Sequence, residues 1–250
     1  MSRTVVYKAL SLRNRQNSSQ ESNSEVYLLT AEEGIIRATV FGGAKSKLRS
    51  HAAPYNSGQV WIYRDPSKDY RKLSDFDVHS WRPGLRELYE RTMAASGIAE
   101  TILSSHGGGS DWSEAMSLAS SALDTLESAN EELCERLLVH FLWRWAGFLG
   151  LQPQVGCCSN CGNEAADGPL MFNNRENSLL CEKCLINTDS VSGLIKLNSG
   201  SRRWLALTGQ IESSLLYRYS MDSKSFREAK TLTAAVITAA IGKQLASWEW

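Results

Sequence analysis

Two pairs of cysteines limit the fold of this chain more than any other feature of its sequence. Each pair follows the pattern C-x-x-C, the first at Cys158 and Cys161 and the second at Cys181 and Cys184, and 19 residues separate them. A C-x-x-C turn directs two thiolates towards one point, and two such turns complete a tetrahedral shell of four sulfur atoms. The spacing therefore predicts a module that holds one structural Zn²⁺ ion, with these four cysteines as ligands.

Other interpretations of the cysteines stay open. Cys157 adjoins Cys158 and offers a different first ligand, although its spacing to Cys161 is less common in such turns. One alternative is a set of four thiols that has lost its metal. A redox dithiol is another, which the absence of a thioredoxin-like βαβ context disfavours. A closed shell of four cysteines leaves no position for water, so a metal here is expected to be structural. Two short runs between the pairs predict strands of a zinc ribbon, Leu170–Phe172 and Ser178–Leu180.

Short β-rich runs without helical periodicity fill residues 4–81. Val, Ile, Tyr, Phe and Thr dominate these runs, as is typical of half-buried strands. The five runs are Thr4–Leu12, Glu25–Ala31, Ile35–Phe41, Gln59–Tyr63 and Leu73–Trp81. The pattern predicts a small closed barrel, and both an OB-fold and an SH3-like barrel fit it. The polar segment Asn14–Ser24 has no apolar period and is expected to form a mobile hairpin loop.

Basic residues concentrate in the same region. The whole chain carries 27 basic and 27 acidic side chains, which excludes a protein that holds nucleic acid by bulk charge alone. Residues 1–80 carry 12 basic and 8 acidic side chains, whereas residues 81–250 carry 15 and 19. The first third of the chain is therefore where an anionic partner would bind, and ordinary variation in charge along the chain is the alternative.

A basic segment follows two glycines after the third β-rich run. In an extended chain, Lys45, Lys47 and Arg49 would project to one side about 7 Å apart, a spacing similar to that of phosphates along a nucleic-acid strand. Cations interleaved with aromatic rings at residues 61–72 also suit single strands, because bases stack on rings while cations meet phosphates. Tyr70 is the ring expected to be exposed. The alternatives are a solvated basic loop and rings that face the barrel core.

From Pro83 onward the apolar period is that of helices, and wide stripes predict a packed helical bundle. One helix is expected from Glu131 to Leu149 and a last one from Phe226 to Leu245. Arg202 and Arg203 lie in the first turn of a further helix, where the helix dipole disfavours cations. We expect both arginine side chains to be exposed to solvent, where this unfavourable interaction with the helix dipole is small.

These patterns together predict an α+β protein with two domains. The expected division is an OB-type barrel at residues 1–81 and a helical domain at residues 82–250, with the zinc module inserted at about residues 155–188. The longest apolar region, Leu137–Leu151, contains a charged residue and is too short to span a membrane. The first residues lack the apolar run of a signal peptide, so a cytoplasmic location is expected.

Motifs for catalysis are not found. The sequence contains no H-E-x-x-H, Walker or G-x-G-x-x-G pattern, and its four histidines are scattered. His140 is assigned no role beyond packing or contact with solvent. A zinc-dependent deaminase or hydrolase is disfavoured because the chain lacks an H-x-E signature and the cysteine shell is closed. The chain is therefore not expected to be an enzyme.

Three segments resemble the RecO family of bacterial recombination-mediator and DNA-annealing proteins. Residues Tyr27–Arg37 resemble the family's second and third barrel strands, and Gly43–Arg49 resembles its basic segment in a shortened form. Leu149–Pro153, leading into Cys158-x-x-Cys161-Gly162, resembles its junction between helix and cysteine turn. The order of barrel, bundle and inserted zinc module extends the resemblance over nearly the whole chain. The long polar segment after Leu12 departs from the family pattern.

The resemblance implies an N-terminal OB-fold that binds single- and double-stranded DNA and anneals complementary strands. It also implies, with RecR as partner, loading of the RecA recombinase onto DNA coated by single-stranded DNA-binding protein, whose acidic C-terminal tail docks on the helical domain. A bacterial, nucleoid-associated location follows. The candidate DNA contacts are Lys45, Lys47 and Arg49 first, and Arg37, Arg71 and Lys72 next. The rival interpretation is a zinc-containing protein-interaction adaptor that binds no DNA directly.

Overall fold

The computed structural model describes residues 3–16, 23–43, 45–105, 111–164, 168–186 and 193–248. Residues 17–22 of the expected hairpin loop and His106 lie outside this part of the chain. The chain divides into two compact units, residues 1–129 and residues 130–250. The barrel ends at Ser80, next to the expected boundary after residue 81, and the two helices that follow belong to the first compact unit.

Five strands form a closed barrel at the start of the first unit. They are β1 (Thr4–Gln16), β2 (Asn23–Thr30), β3 (Gly34–Phe41), β4 (Ser57–Asp65) and β5 (Tyr70–Ser80). The order around the barrel is β1-β2-β3-β5-β4, and the contact between β3 and β5 is parallel while the other pairs are antiparallel. This is an OB-type barrel, so the expected fold class is confirmed.

The barrel interior is filled by alternate side chains of these strands. Val26 and Leu28 of β2, Ile36 of β3 and Val60 and Ile62 of β4 are buried in one apolar core. The residues between them therefore point outward. It is this outer surface that offers side chains to a ligand.

The expected loop between β1 and β2 is shorter than the sequence predicts. Asn14, Arg15 and Gln16 pair with Val26, Glu25 and Ser24, so both strands extend into the polar segment. Backbone hydrogen bonds hold this part of the hairpin, and they need no apolar period in the sequence.

Two helices complete the first unit, α2 (Tyr89–Ser104) and α3 (Trp112–Leu126); the short α1 (Lys47–His51) precedes β4. The Trp112 ring lies against Gly34, where a Cβ atom would fall 2.3 Å from the ring. Gly34 also has a φ of 72°, as its place in the turn before β3 predicts. Buried Arg82 donates hydrogen bonds to Asp124 of α3 and to the carbonyl oxygen of Tyr55.

The described part of the second unit contains helices and a small three-stranded sheet. Its helices are α4 (Glu131–Phe148), α5 (Glu182–Leu185), α6 (Ser199–Thr208) and α7 (Ser223–Ile241). Its strands are β6 (Leu170–Asn173), β7 (Ser178–Leu180) and β8 (Ile195–Leu197), in the order β7-β6-β8. The two strands expected between the cysteine pairs are confirmed, and β8 is an addition. Helix α7 begins earlier than expected because Asp222 caps it, accepting from the N–H groups of Lys224 and Ser225.

One side chain of this unit differs from expectation, and the packing role of a second gains a hydrogen-bond partner. Arg202 is buried rather than exposed, and its guanidinium donates to the carbonyl oxygens of Val155 and Gly168. His140 is also buried, with Nε2 2.9 Å from the carbonyl oxygen of Thr208. Each polar group thus satisfies backbone acceptors inside the unit. Among the described residues, no helix has the length and apolar character needed to cross a membrane.

Candidate metal centre and nucleic-acid interface

The four cysteines of the two C-x-x-C turns lie together. The Sγ atoms of Cys158, Cys161, Cys181 and Cys184 are all within 4.8 Å of one another. The Sγ atoms of Cys161 and Cys181 are 3.9 Å apart. A tetrahedral ion with metal–sulfur bonds of about 2.3 Å requires sulfur atoms about 3.8 Å apart. The geometry therefore fits a metal ion held by four thiolates.

Local backbone geometry sets the first turn. Gly162 has a φ of 70°, a conformation that favours glycine, and its N–H group donates to the carbonyl oxygen of Cys158 at 2.9 Å. The Cys158 N–H group in turn donates to the carbonyl oxygen of Asn163 at 3.1 Å. This closed loop directs the first pair of thiols to one side.

The second turn is the start of a helix, and it is tied to the first. Cys181 is the N-cap of α5, and its N–H group is 3.3 Å from the Cys158 sulfur. The Ser159 N–H group donates to the carbonyl oxygen of Leu179, and the Leu179 N–H group donates to the Ser159 hydroxyl. These bonds hold the first turn against β7, which leads directly into the second pair. Hydrogen bonds among residues 158–181 thus bring the two cysteine pairs together.

The metal-free thiols have unequal acidities. Burial raises the pKa of Cys158, but the backbone N–H groups of Cys161, Cys181 and Asn160 outweigh it and lower that pKa to about 6. Hydrogen bonds with the Cys161 and Cys181 side chains raise the pKa of Cys184 to about 12. The lowered pKa favours the thiolate form of Cys158, which is the form that binds a cation.

Cys157 does not belong to the group of four. Its Sγ atom lies 3.4 Å from Oε1 of Gln154, and its backbone forms a bridge with Glu164. The open choice between the neighbouring cysteines is thus resolved by geometry in favour of Cys158.

The basic segment after β3 is not extended, which corrects the geometry expected for it. Lys45 lies in a turn, and Lys47 and Arg49 lie on α1. Residues two positions apart on a helix point about 200° apart, so these two side chains do not project to one side. Leu48 between them packs against the barrel core. Lys45 and Lys47 are exposed and Arg49 is half-buried.

Arg37 lies on the outer surface of the barrel, beside other outward residues. Its side chain is 65% exposed, and its Nε atom is 3.6 Å from Glu25. Strand register places Tyr27 of β2 between Arg13 of β1 and Arg37 of β3. The Tyr27 ring and the exposed arginines on either side of it therefore form a row across three adjacent strands. Arg13 was not among the predicted contacts: it is exposed after a register shift in β1 between Ser11 and Arg13, which the alternation of the strand does not indicate.

Arg71 lies in a cluster centred on Glu33. The Glu33 carboxylate accepts from Arg64 and from the Tyr7 hydroxyl, and Arg71 is 3.9 Å away. The guanidinium of Arg64 also lies over the Tyr7 ring. One carboxylate thus faces two guanidinium groups, and the cluster keeps a net positive charge.

Lys72 lies in a groove on the outer surface where β3 meets β5. Its Nζ atom is 5.3 Å from the centre of the Phe41 ring. Phe41, Tyr63, Tyr70, Lys72 and Ser74 line a cavity of about 310 Å³. The predicted pairing of cations with rings in residues 61–72 is therefore present, with Phe41 added. Phe41 was missed, although its place on the outward face of β3 was a usable signal.

Comparison with known proteins agrees with this architecture. The family model described as "Recombination protein O C terminal" matches residues 86–249. A protein named "DNA repair protein RecO" from Desulforamulus reducens is 22% identical over 247 residues, covering 98% of this chain and 93% of its own. Proteins of the same name from Syntrophus aciditrophicus and Desulfitobacterium hafniense (strain DSM 10664 / DCB-2) are 25% and 24% identical, covering 92% and 97% of this chain and 89% and 88% of their own. Since the family model matches well over half of the chain, the chain belongs to the RecO family.

Proposed function

We propose that this protein is a non-enzymatic DNA-binding mediator of recombinational DNA repair. It anneals complementary single strands and, with RecR, helps to load RecA onto DNA coated by single-stranded DNA-binding protein. The observation that carries the proposal is that relatives named "DNA repair protein RecO" match this chain from barrel to last helix. The barrel type, which commonly holds oligonucleotides, supports it.

Contact with DNA is assigned to the first unit. Lys45, Lys47 and Arg49 offer charge beside the barrel, and Arg37, Arg71 and Lys72 offer it on the strands. The charge surplus of residues 1–80 supports this assignment. Such contacts neutralise phosphates and release counterions, so binding is largely independent of sequence and weakens as salt rises. Annealing follows if two strands are neutralised together while their bases stay accessible.

The cysteine cluster is assigned to one Zn²⁺ ion with a structural role. Cys158, Cys161, Cys181 and Cys184 would hold it, and four thiolates are the ligand set that structural zinc prefers. When bound, the ion supplies a crosslink between the two turns. The chain's own contribution is the hydrogen bonding that aligns the thiols.

A cavity in the second unit suits the acidic tail of single-stranded DNA-binding protein. It measures about 620 Å³ and is lined by Arg202, Arg203 and Glu164, a net positive set, together with apolar side chains that include Trp143, Val155 and Leu205. A cation beside apolar walls fits a short peptide that carries both carboxylates and apolar residues. We assign the tail to this cavity.

The test is an annealing assay with two complementary labelled strands, bare or precoated with the cognate single-stranded DNA-binding protein, over a salt series. Acceleration that fades as salt rises is expected. A triple alanine variant at Lys45, Lys47 and Arg49 should lose most of it, because three phosphate contacts are removed.

A matched control replaces three exposed cations of the second unit, Lys224, Arg227 and Lys243. This control should anneal at the wild-type rate. An unchanged rate in the first triple variant would contradict the assignment of those contacts. Absence of both annealing and DNA binding at low salt would overturn the proposed function and favour the adaptor, for which the balanced total charge speaks.

A further inference from the structure

We infer that the groove lined by Phe41, Tyr63, Tyr70, Lys72 and Ser74 is a base-stacking subsite for one nucleotide of a single strand. This inference rests on the proposed function, and it adds the part of the ligand that is recognised. The contacts assigned above are cations that meet phosphates, although rings within residues 61–72, Tyr70 above all, were also expected to suit single strands. The groove instead offers rings, which meet bases.

The rings at this place lie outside the barrel core; Phe41 is exposed, whereas Tyr63 and Tyr70, the latter expected to be exposed, are half-buried. Ile62 and Leu73 point into the interior, so their neighbours Tyr63 and Lys72 point outward. Phe41 ends β3 on the same outer surface and is 43% exposed. Large apolar side chains that remain accessible and cluster around a concavity indicate a binding site.

Closure of the barrel brings the rings together. The parallel contact between β3 and β5 places Thr39 opposite Lys72, two residues before Phe41. Antiparallel pairing then places Tyr63 of β4 opposite Lys72. Phe41 and Tyr63 thus flank the same lysine from opposite sides. The lysine ammonium lies near the Phe41 ring, an arrangement in which a cation and a ring attract each other.

The groove has the size and polarity for one base. Its volume of about 310 Å³ lies at the lower end of the range for small-molecule sites. Arg3 Nη1 donates to the Tyr63 hydroxyl at 3.2 Å, so a second cation stands at the edge of the groove. Arg3 and Lys72 can meet the phosphates on either side of a stacked base. Every base has a π-face, so such a subsite is tolerant of sequence.

A duplex cannot use this subsite without opening. Its bases are stacked on one another, and a protein ring reaches them only if the stack is disrupted. The groove therefore favours single strands over duplex.

The experiment uses the full-length protein and a short single strand that carries the fluorescent base 2-aminopurine. Stacking against a ring quenches this base, so its signal reports a contact that phosphate binding alone would not produce. Wild-type protein should quench the fluorescence. The variant F41L/Y70L should bind the strand about tenfold or more weakly and give little quenching, because stacking contributes strongly for each base. Its affinity for a blunt duplex should change less than twofold.

Two further variants keep the result independent of folding. F41W keeps a ring at residue 41, so both the single-strand affinity and the quenching should stay close to those of the wild-type protein. Y89A removes an exposed ring outside the groove and should behave as wild type. Equal single-strand affinity and quenching in F41L/Y70L and wild type would overturn the subsite while leaving the proposed function intact. An equal loss for single strand and duplex would also overturn it. Absence of any DNA binding by the wild-type protein would overturn the proposed function itself.

Discussion

Acidification is expected to destabilise the second compact unit through His140. The imidazole is buried in α4, and its Nε2 atom lies 2.9 Å from the carbonyl oxygen of Thr208. Burial, and next the charge of Arg144, lower the pKa of His140 from 6.5 to about 4. At neutral pH the folded imidazole is therefore uncharged, and its Nε2–H group donates to the Thr208 carbonyl.

The sign and size of the effect follow from the two pKa values. As pH falls below 6.5 the unfolded chain takes up a proton, whereas the folded chain takes up none until about pH 4. Stability is thus fully present above pH 6.5 and is lost between these two values. One unit of pKa difference corresponds to about 1.4 kcal/mol, so the complete loss is about 3 kcal/mol. Between pH 7.5 and pH 5 the expected loss is about 2 kcal/mol.

The variant His140→Gln isolates this contribution. Its amide N–H group can still donate to the Thr208 carbonyl, but it does not titrate. Urea unfolding at pH 7.5 and pH 5, followed by tryptophan fluorescence, reports on α4 through Trp143 and Trp145. The wild-type free energy of unfolding should fall by about 2 kcal/mol more than that of the variant, because the two proteins differ only at residue 140. An equal fall in both proteins would show that His140 is protonated in the folded state, and would refute the reasoning.

Three more predictions concern the metal, the barrel and the contact between α6 and the cysteine module. Purified protein should contain one zinc ion per chain by elemental analysis, and Cys181→Ser should lose most of it and lower the melting temperature; a metal content equal to wild type would contradict the ligand set. Glu33→Gln removes the carboxylate that faces Arg64 and Arg71, so DNA affinity in a low-salt anisotropy titration should rise a few-fold, and an unchanged or lower affinity would contradict this. Arg202→Met removes the donor to the buried carbonyl oxygen of Val155 and to the partly buried carbonyl oxygen of Gly168; the loss at Val155 costs about 1–3 kcal/mol, so urea unfolding should show a loss of at least about 1 kcal/mol, whereas a surface arginine would show almost none.

Features that depend on neighbouring residues were predictable from the sequence. Apolar alternation located the barrel strands because an inward face repeats every second residue. The C-x-x-C spacing identified the thiols that come together because each turn is built from consecutive residues, such as Cys158 and Gly162. The sequence pattern did not predict the polar end of the β1–β2 hairpin, because the side chains there have no apolar alternation. Backbone hydrogen bonds hold the two strands together there, and such bonds do not depend on the pattern of side chains.

Features that depend on distant residues were mispredicted or missed. The segment with Lys45 and Lys47 was expected to be extended, but Leu48 packs against the barrel core and the chain turns into a helix around it. Arg202 was expected to be exposed because its acceptors, the carbonyl oxygens of Val155 and Gly168, are far from it in sequence. In both cases the deciding partner lies in another element. A pattern of neighbouring residues in the sequence does not identify that partner.

The groove on the barrel shows why this distinction matters for function. Phe41 and Lys72 are neighbours because β3 and β5 pair when the barrel closes, with Thr39 opposite Lys72. Neither strand alone predicts that contact. The cationic contacts were predicted from the sequence. Variants of these cations test only the part of the DNA affinity that comes from contacts with phosphates. Because annealing also requires that bases be held accessible, the variants that separate a strand binder from an annealing protein are those at Phe41 and Tyr70, which the basic pattern alone would have left untouched.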